Sequence, residues 1–152
     1  MHTAADPHVL KLLLARLERL HPDTRNRWGT LTAAEMLCHL GDAHEAVLSV
    51  RIPADGPPIR PRTLARWIAL YTALPWARGM ATRPGVDPRR DGTRPGDFEQ
   101  DRRRALDSLR QVARATADQL PARHRLFGPM SAWDWHRWAY RHVNHHLVQF
   151  GL

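Results

Sequence analysis

Apolar residues recur at three- and four-residue intervals in four stretches of this chain, and nothing longer than a few residues alternates as a strand would. The pattern predicts an all-α fold. The first helix starts at Asp6-Pro7, with Asp as N-cap and Pro at the first helical position, and carries Leu10, Leu13, Leu14, Leu17 and Leu20 towards a stop near His21-Pro22. The second opens on Thr32-Ala33-Ala34-Glu35, a capping box in which hydroxyl and carboxylate satisfy orphan amides, and runs to about Val50. The third long helix begins at Asp97 and continues through Leu106, Leu109 and Val112 to Leu120-Pro121. The fourth begins at Ser131 in another box-like start and ends at Phe150, with Gly151 as a left-handed cap.

Prolines and glycines punctuate the rest. Residues 51–61 hold Pro53, Gly56, Pro57, Pro58 and Pro61, and residues 80–96 hold Pro84, Gly85, Pro88, Gly92, Pro95 and Gly96, so both segments are expected to be surface loops. A short apolar helix, Thr63 to Leu74, lies between them. The expected architecture is a four-helix bundle with a long crossover between helices two and three that carries this short extra helix. Neither half has enough helices for its own core, so residues 1–152 are read as one domain.

Ten histidines are many for 152 residues, and periodicity separates those that face the core. On the fourth helix the apolar arc is set by Trp135, Ala139, Val143 and Phe150, and His142 and His146 fall in its middle. Four residues apart, their Cβ atoms stand one turn above the other, about 5–6 Å apart, so both imidazoles can converge on one cation. Gln149 shares this face, whereas His145 and His136 project to its flanks. Burying two adjacent imidazoles without partners is unfavourable, and a divalent metal would offset that cost. A third ligand then comes from another helix. His39 is the best candidate, on the shoulder of the stripe formed by Met36, Leu40, Ala43 and Val47. Three neutral imidazoles leave one position open for water or substrate, as in a catalytic centre. The competing reading makes His142 and His146 core histidines bonded to backbone, Gln149 or buried water. His44 reads as a surface or supporting group, and His124 as a turn residue. The tryptophans Trp28, Trp133, Trp135 and Trp138 read as core and pocket walls.

Charge and cysteine content narrow the picture. The net charge is +8, and 22 of the 23 basic residues are arginines spread through the chain without interleaved aromatics or a helix-turn-helix signature, so nucleic-acid binding ranks last. The single cysteine, Cys38, excludes an intrachain disulfide framework and a Cys-rich zinc site. It reads as a small buried hydrophobe rather than a nucleophile. The longest uncharged apolar stretch, Trp67 to Ala77, is broken by Pro75 and is far shorter than the roughly 20 residues that span a bilayer. The amino end reads as an amphipathic helix rather than a signal peptide, and a cytoplasmic location without membrane contact is expected.

Several motifs together resemble the DinB-like superfamily of bacterial four-helix bundles, in particular its small branch with a tryptophan-glycine motif and a histidine-rich tail. They are Arg27-Trp28-Gly29, the run Glu35-Met36-Leu37-Cys38-His39-Leu40-Gly41-Asp42, Phe127-Gly128-Pro129-Met130-Ser131, and His142-Val143-Asn144-His145-His146-Leu147-Val148-Gln149-Phe150-Gly151. The resemblance covers both ends of the chain and little of residues 51–96. It implies a metal site on His39, His142 and His146, the same three residues that periodicity selects. It also implies kinship with transferases and isomerases that use a low-molecular-weight thiol activated by a divalent metal. Many members of the superfamily often carry His-Arg-Gly-Gln near the tail, whereas this chain has His146-Leu147-Val148-Gln149, which keeps His and Gln and loses Arg-Gly.

Two functional classes follow. One is a metal-dependent enzyme, with zinc or nickel on the three histidines activating a thiol or water against a small electrophilic substrate, and with Arg25 or Arg27 placed to bind a carboxylate. The other is a non-catalytic binding or stress-response bundle with structural histidines. A homodimer is expected from the breadth of the first helix's apolar stripe and from the tryptophan-bearing short helix, Arg66-Trp67-Ile68-Ala69-Leu70-Tyr71.

Overall fold

A computed structural model describes residues 1–50 and 63–152. The described residues form five α-helices and one small hairpin: α1 (Pro7–Glu18), α2 (Ala33–Val47), α3 (Thr63–Tyr71), α4 (Phe98–Arg114), β1 (Arg123–His124), β2 (Gly128–Pro129) and α5 (Ala132–Gln149). The chain is mostly helical, as the periodicity predicts. The antiparallel pair β1–β2 is too short to show as alternation, and it was not expected. The proposed loop at 51–61 lies outside the described residues.

Local chemistry sets the helix ends. Asp6 accepts from the His8 and Val9 amides ahead of Pro7. Reciprocal capping boxes start α2 (Thr32 with Glu35) and α5 (Ser131 with Asp134). Asp97 caps α4 through the Gln100 amide. Four helices stop earlier than their apolar periodicity suggests, α1 at Glu18, ahead of Leu20. α4 ends at Arg114 because Ala115 turns extended and Thr116 caps a separate single turn, Ala117–Gln119, with a box of its own. α2 gives way after Val47, where Ser49 adopts a positive φ of 57°. α3 ends at Tyr71 instead of Leu74, and two arginines of α5 take up its free carbonyls: Arg137 donates to Leu70 O and Thr72 O, and Arg141 to Thr72 O and Leu74 O.

The packing order explains where the site forms. α2 lies along α4, α1 packs on α4 and α5, and α3 packs on α5. The core is built from Leu13, Leu17, Leu20, Met36, Leu37, Leu40, Leu109, Val112, Val143 and Leu147. Every residue from Met36 to Ala43 is buried, and His44 after them is fully buried, so α2 is enclosed on all sides. The segment between α3 and α4 supplies the last of that cover. Gly85, Val86 and Pro88 are buried against α2, so the expectation of a surface loop over 80–96 fails for this stretch. Its anchor is Asp42, which accepts from the Thr93 amide and hydroxyl at 2.7 Å each and from Arg104 at 2.6 Å. Arg89 adds a second tie, with 2.7 Å bonds to both oxygens of Glu35.

Candidate metal centre

α2 and α5 meet at three buried imidazoles. His39 contributes from α2, and His142 and His146 from consecutive turns of α5, with all ring centroids 4.9–5.0 Å apart. One nitrogen from each lies within 4.8 Å of the other two. The nearest pair, His39 Nε2 and His142 Nε2, are 3.0 Å apart. Around one ion at zinc-type bond lengths of about 2.0–2.1 Å, two nitrogens stand no more than about 4.2 Å apart, so modest side-chain rotations complete the convergence. The three residues selected from the sequence are therefore brought together.

Two of the rings are oriented from behind. A backbone carbonyl only accepts, so the 2.8 Å contact of His39 with Val86 O places a proton on His39 Nδ1 and turns the Nε2 lone pair inward. The amide of Gln149 does the same for His146. Its nitrogen donates to Trp28 O at 2.8 Å, which leaves its oxygen to accept from His146 Nδ1 at 2.8 Å. Gly29 permits this arrangement: its φ is +79°, and a Cβ there would stand 2.5 Å from the Gln149 side-chain nitrogen. Sequence reasoning placed Gln149 on the correct face and included Trp28-Gly29 in a motif. It missed Val86, whose contact spans 47 residues of chain.

Electrostatics favour neutral rings. Burial depresses the pKa of His39 and takes His142 and His146 well below the ordinary histidine value, with mutual repulsion adding to the last two. Neutral imidazoles are the ligand form. Burial pushes the Cys38 thiol up to about 12, with Asp101 adding to the shift, so Cys38 stays protonated and unreactive near neutral pH.

A rim of less buried groups surrounds the cluster on one side. Trp76 packs on His142 and on half-buried His145, each with ring centroids 6.0 Å apart, and Trp28 meets His145 edge-on at 6.1 Å. The exposed guanidinium of Arg78 lies 4.2 Å from the centre of the Trp28 ring. Of the arginines expected near the mouth, Arg25 is exposed, and Arg27 lays its guanidinium over Gly151 while its amide donates to Gln149 O. On the opposite side Trp138 stacks on His142 at 4.8 Å. His44, expected at the surface or in support, is fully buried behind the cluster. His124 serves the hairpin turn, accepting from the Leu126 and Phe127 amides. His136 bonds Ala115 O at 3.1 Å, away from the cluster. Trp133 is partly exposed and stacks on Tyr71 rather than lining the site.

Comparison of the chain with protein-family models, with curated proteins and with solved structures gives no match to any of them.

Proposed function

We propose that this chain is a DinB-like four-helix bundle whose His39, His142 and His146 hold one divalent cation, zinc or nickel, in a metal-dependent enzyme acting on a small molecule. The observation that carries the reading is the inward aim of the His39 and His146 lone pairs, locked by Val86 and Gln149 and converging with His142. A neutral His142 has one Nε2 proton to give and its 3.0 Å partner is His39 Nε2, whereas a divalent ion takes the inward lone pairs of all three rings at once; burial disfavours the further proton that would charge the cluster. A divalent ion there would lower the pKa of a thiol or water that it holds, so that the nucleophilic form is available near neutral pH.

The chain's own residues bear on what else such a reaction would need. Cys38 is buried and protonated, so a thiol nucleophile has to be a separate low-molecular-weight molecule, which stays reduced in a cytoplasmic setting. Trp28 and Trp76 offer apolar walls to a substrate approaching past His145, and Arg78 offers a positive charge to an anionic group on it. The test is metal uptake. Metal-free protein titrated with zinc or nickel is expected to bind one equivalent, and His142→Ala or His146→Ala to abolish that binding, while His136→Ala retains it. No uptake by the wild type would replace this reading with a non-catalytic bundle carrying structural histidines.

A further inference from the structure

Val86 O and Gln149 Oε1 hold the outer nitrogens of His39 and His146, yet the outer nitrogen of His142 has no such acceptor. His142 Nδ1 is buried without a hydrogen-bond partner among the described residues, and so is His44 Nε2. The two rings are neighbours, with centroids 6.3 Å apart and planes at 87°. Trp138 packs on both, stacked on His142 and edge-on to His44, so all three rings are neighbours in the core. Buried ring nitrogens of this kind are costly unless paired, and ordered water is the usual partner where protein groups are missing.

Hydrogen-bond polarity runs in a consistent direction through this region. Ser108 has one hydroxyl proton, which it gives to Ala105 O at 3.1 Å. Its oxygen then accepts from His44 Nδ1–H at 3.1 Å, which leaves a lone pair on His44 Nε2. His142 would carry its proton on Nδ1 with a metal ion on Nε2; without one, Nε2 donates to His39 and Nδ1 presents a lone pair. Two orphaned nitrogens therefore stand on adjacent buried rings, an acceptor and a donor with metal bound and two acceptors without it, and a water can serve either pair. A ring nitrogen lies about 1.1 Å from its centroid, so the 6.3 Å separation keeps the two atoms at least about 4 Å apart, beyond a direct bond, and a bridge between them has to run through a third group.

We propose that one buried water bridges His44 Nε2 and His142 Nδ1, which makes His44, backed by Ser108, the positioning residue for His142. All three histidines then have an outer partner: a carbonyl, a side-chain amide and a relayed water. The role of the relay in tuning a ligand rests on the three-histidine metal reading; the water itself does not. With zinc bound, the water accepts from His142 and donates to His44. In metal-free protein His142 gives its proton to His39 Nε2 instead, and the water donates to both rings.

The test combines a crystal structure of the metal-free protein, nitrogen-15 NMR of the histidine rings, and zinc affinity measured by chelator competition. Wild type is expected to show an ordered water between the two rings, and His44 with its proton on Nδ1. His44→Phe keeps a ring and removes the acceptor, so zinc affinity should fall by about 10–100-fold and, in the zinc-loaded protein, the His142 Nδ1 proton should exchange faster. Ser108→Ala, a smaller change, should lower affinity less and let His44 populate the other tautomer. Unchanged zinc affinity in folded His44→Phe, a His44 proton on Nε2 in wild type, or no water between the rings would each overturn the proposal. If wild type takes up no zinc, the metal reading falls, while the water and the His44 tautomer still decide the bridge. If His44→Phe does not fold, Ser108→Ala and the wild-type tautomer decide it.

Discussion

His146 is held by a side chain that is itself held by a loop, and this sequence of contacts yields a measurement at single residues. Gln149 grips His146 with its oxygen and Trp28 O with its nitrogen, and Gly29 leaves the room that Gln149 occupies. Gln149→Leu removes the acceptor behind the ligand. Gly29→Ala drives a methyl into the same amide and strains a backbone at φ +79°. Both substitutions are expected to weaken zinc or nickel binding by about 10–100-fold in titration calorimetry, the usual range for losing an outer partner of a ligating histidine. Gln149→Glu retains an acceptor for His146 but loses the donor to Trp28 O, so its loss should be smaller.

Among the elements, α2 depends most on a neighbour distant in sequence. Asp42 is fully buried and is the point at which residues 84–93 and α4 are both fastened to that helix. Asp42→Ala removes the acceptor for Thr93 and one of the two carboxylates that face Arg104; Glu45 remains, with 2.6–2.7 Å bonds. Hydrogen bonds to charged groups contribute about 1.5–3 kcal/mol, so the substitution should lower unfolding free energy by at least about 2 kcal/mol in urea. It should also speed hydrogen exchange at the Gly92 amide, which bonds Asp87 O within the anchored turn. Since that segment carries Val86, metal affinity should fall in the same variant. Thr93→Val, which removes one hydroxyl bond and leaves the backbone bond, should show the same effects in weaker form.

For the whole molecule, the buried histidines set the pH dependence of folding. His39, His44, His142 and His146 all have folded-state pKa values below the ordinary one because burial penalises the charged ring, and His44 is pushed down to about 3. Unfolded, each binds a proton near pH 6.5. Their contribution to stability is therefore complete above about pH 6.5 and is lost as the pH falls from there towards the folded values, at up to about 1.4 kcal/mol per pH unit for each histidine. Urea midpoints measured with chelator present should fall steeply between pH 7.5 and 5. A flat profile would mean that the rings are not buried and neutral. Assembly is the other property at this scale. Leu64, Trp67 and Ile68 form an exposed apolar ridge one turn long on α3, and an isologous two-fold contact would bury that ridge against its own copy. Sedimentation should show a dimer that Trp67→Glu converts to monomer; a wild-type monomer at micromolar concentration would end the dimer proposal.

Sequence alone determined what is local. The capping residues Asp6, Thr32, Asp97 and Ser131 mark helix starts because their bonds reach only two or three residues ahead. His142 and His146 were legible because α5 has one clear apolar face, and four-residue spacing places two side chains on it whatever packs there. α2 defeats the same argument. Residues 36–44 are buried on every side, so polar residues such as Asp42 and His44 do not mark a solvent face, and His44 reads as peripheral although it is fully buried. The early ends of α3 and α4 were equally hidden, since apolar spacing persists beyond the last helical turn while capping and α5 arginines set the boundary. Val86 behind His39, Trp76 over His142 and Arg78 at the rim lie in stretches without periodicity. Only tertiary structure could place them, because contacts that close across dozens of residues depend on how helices stack and leave no repeat in the chain.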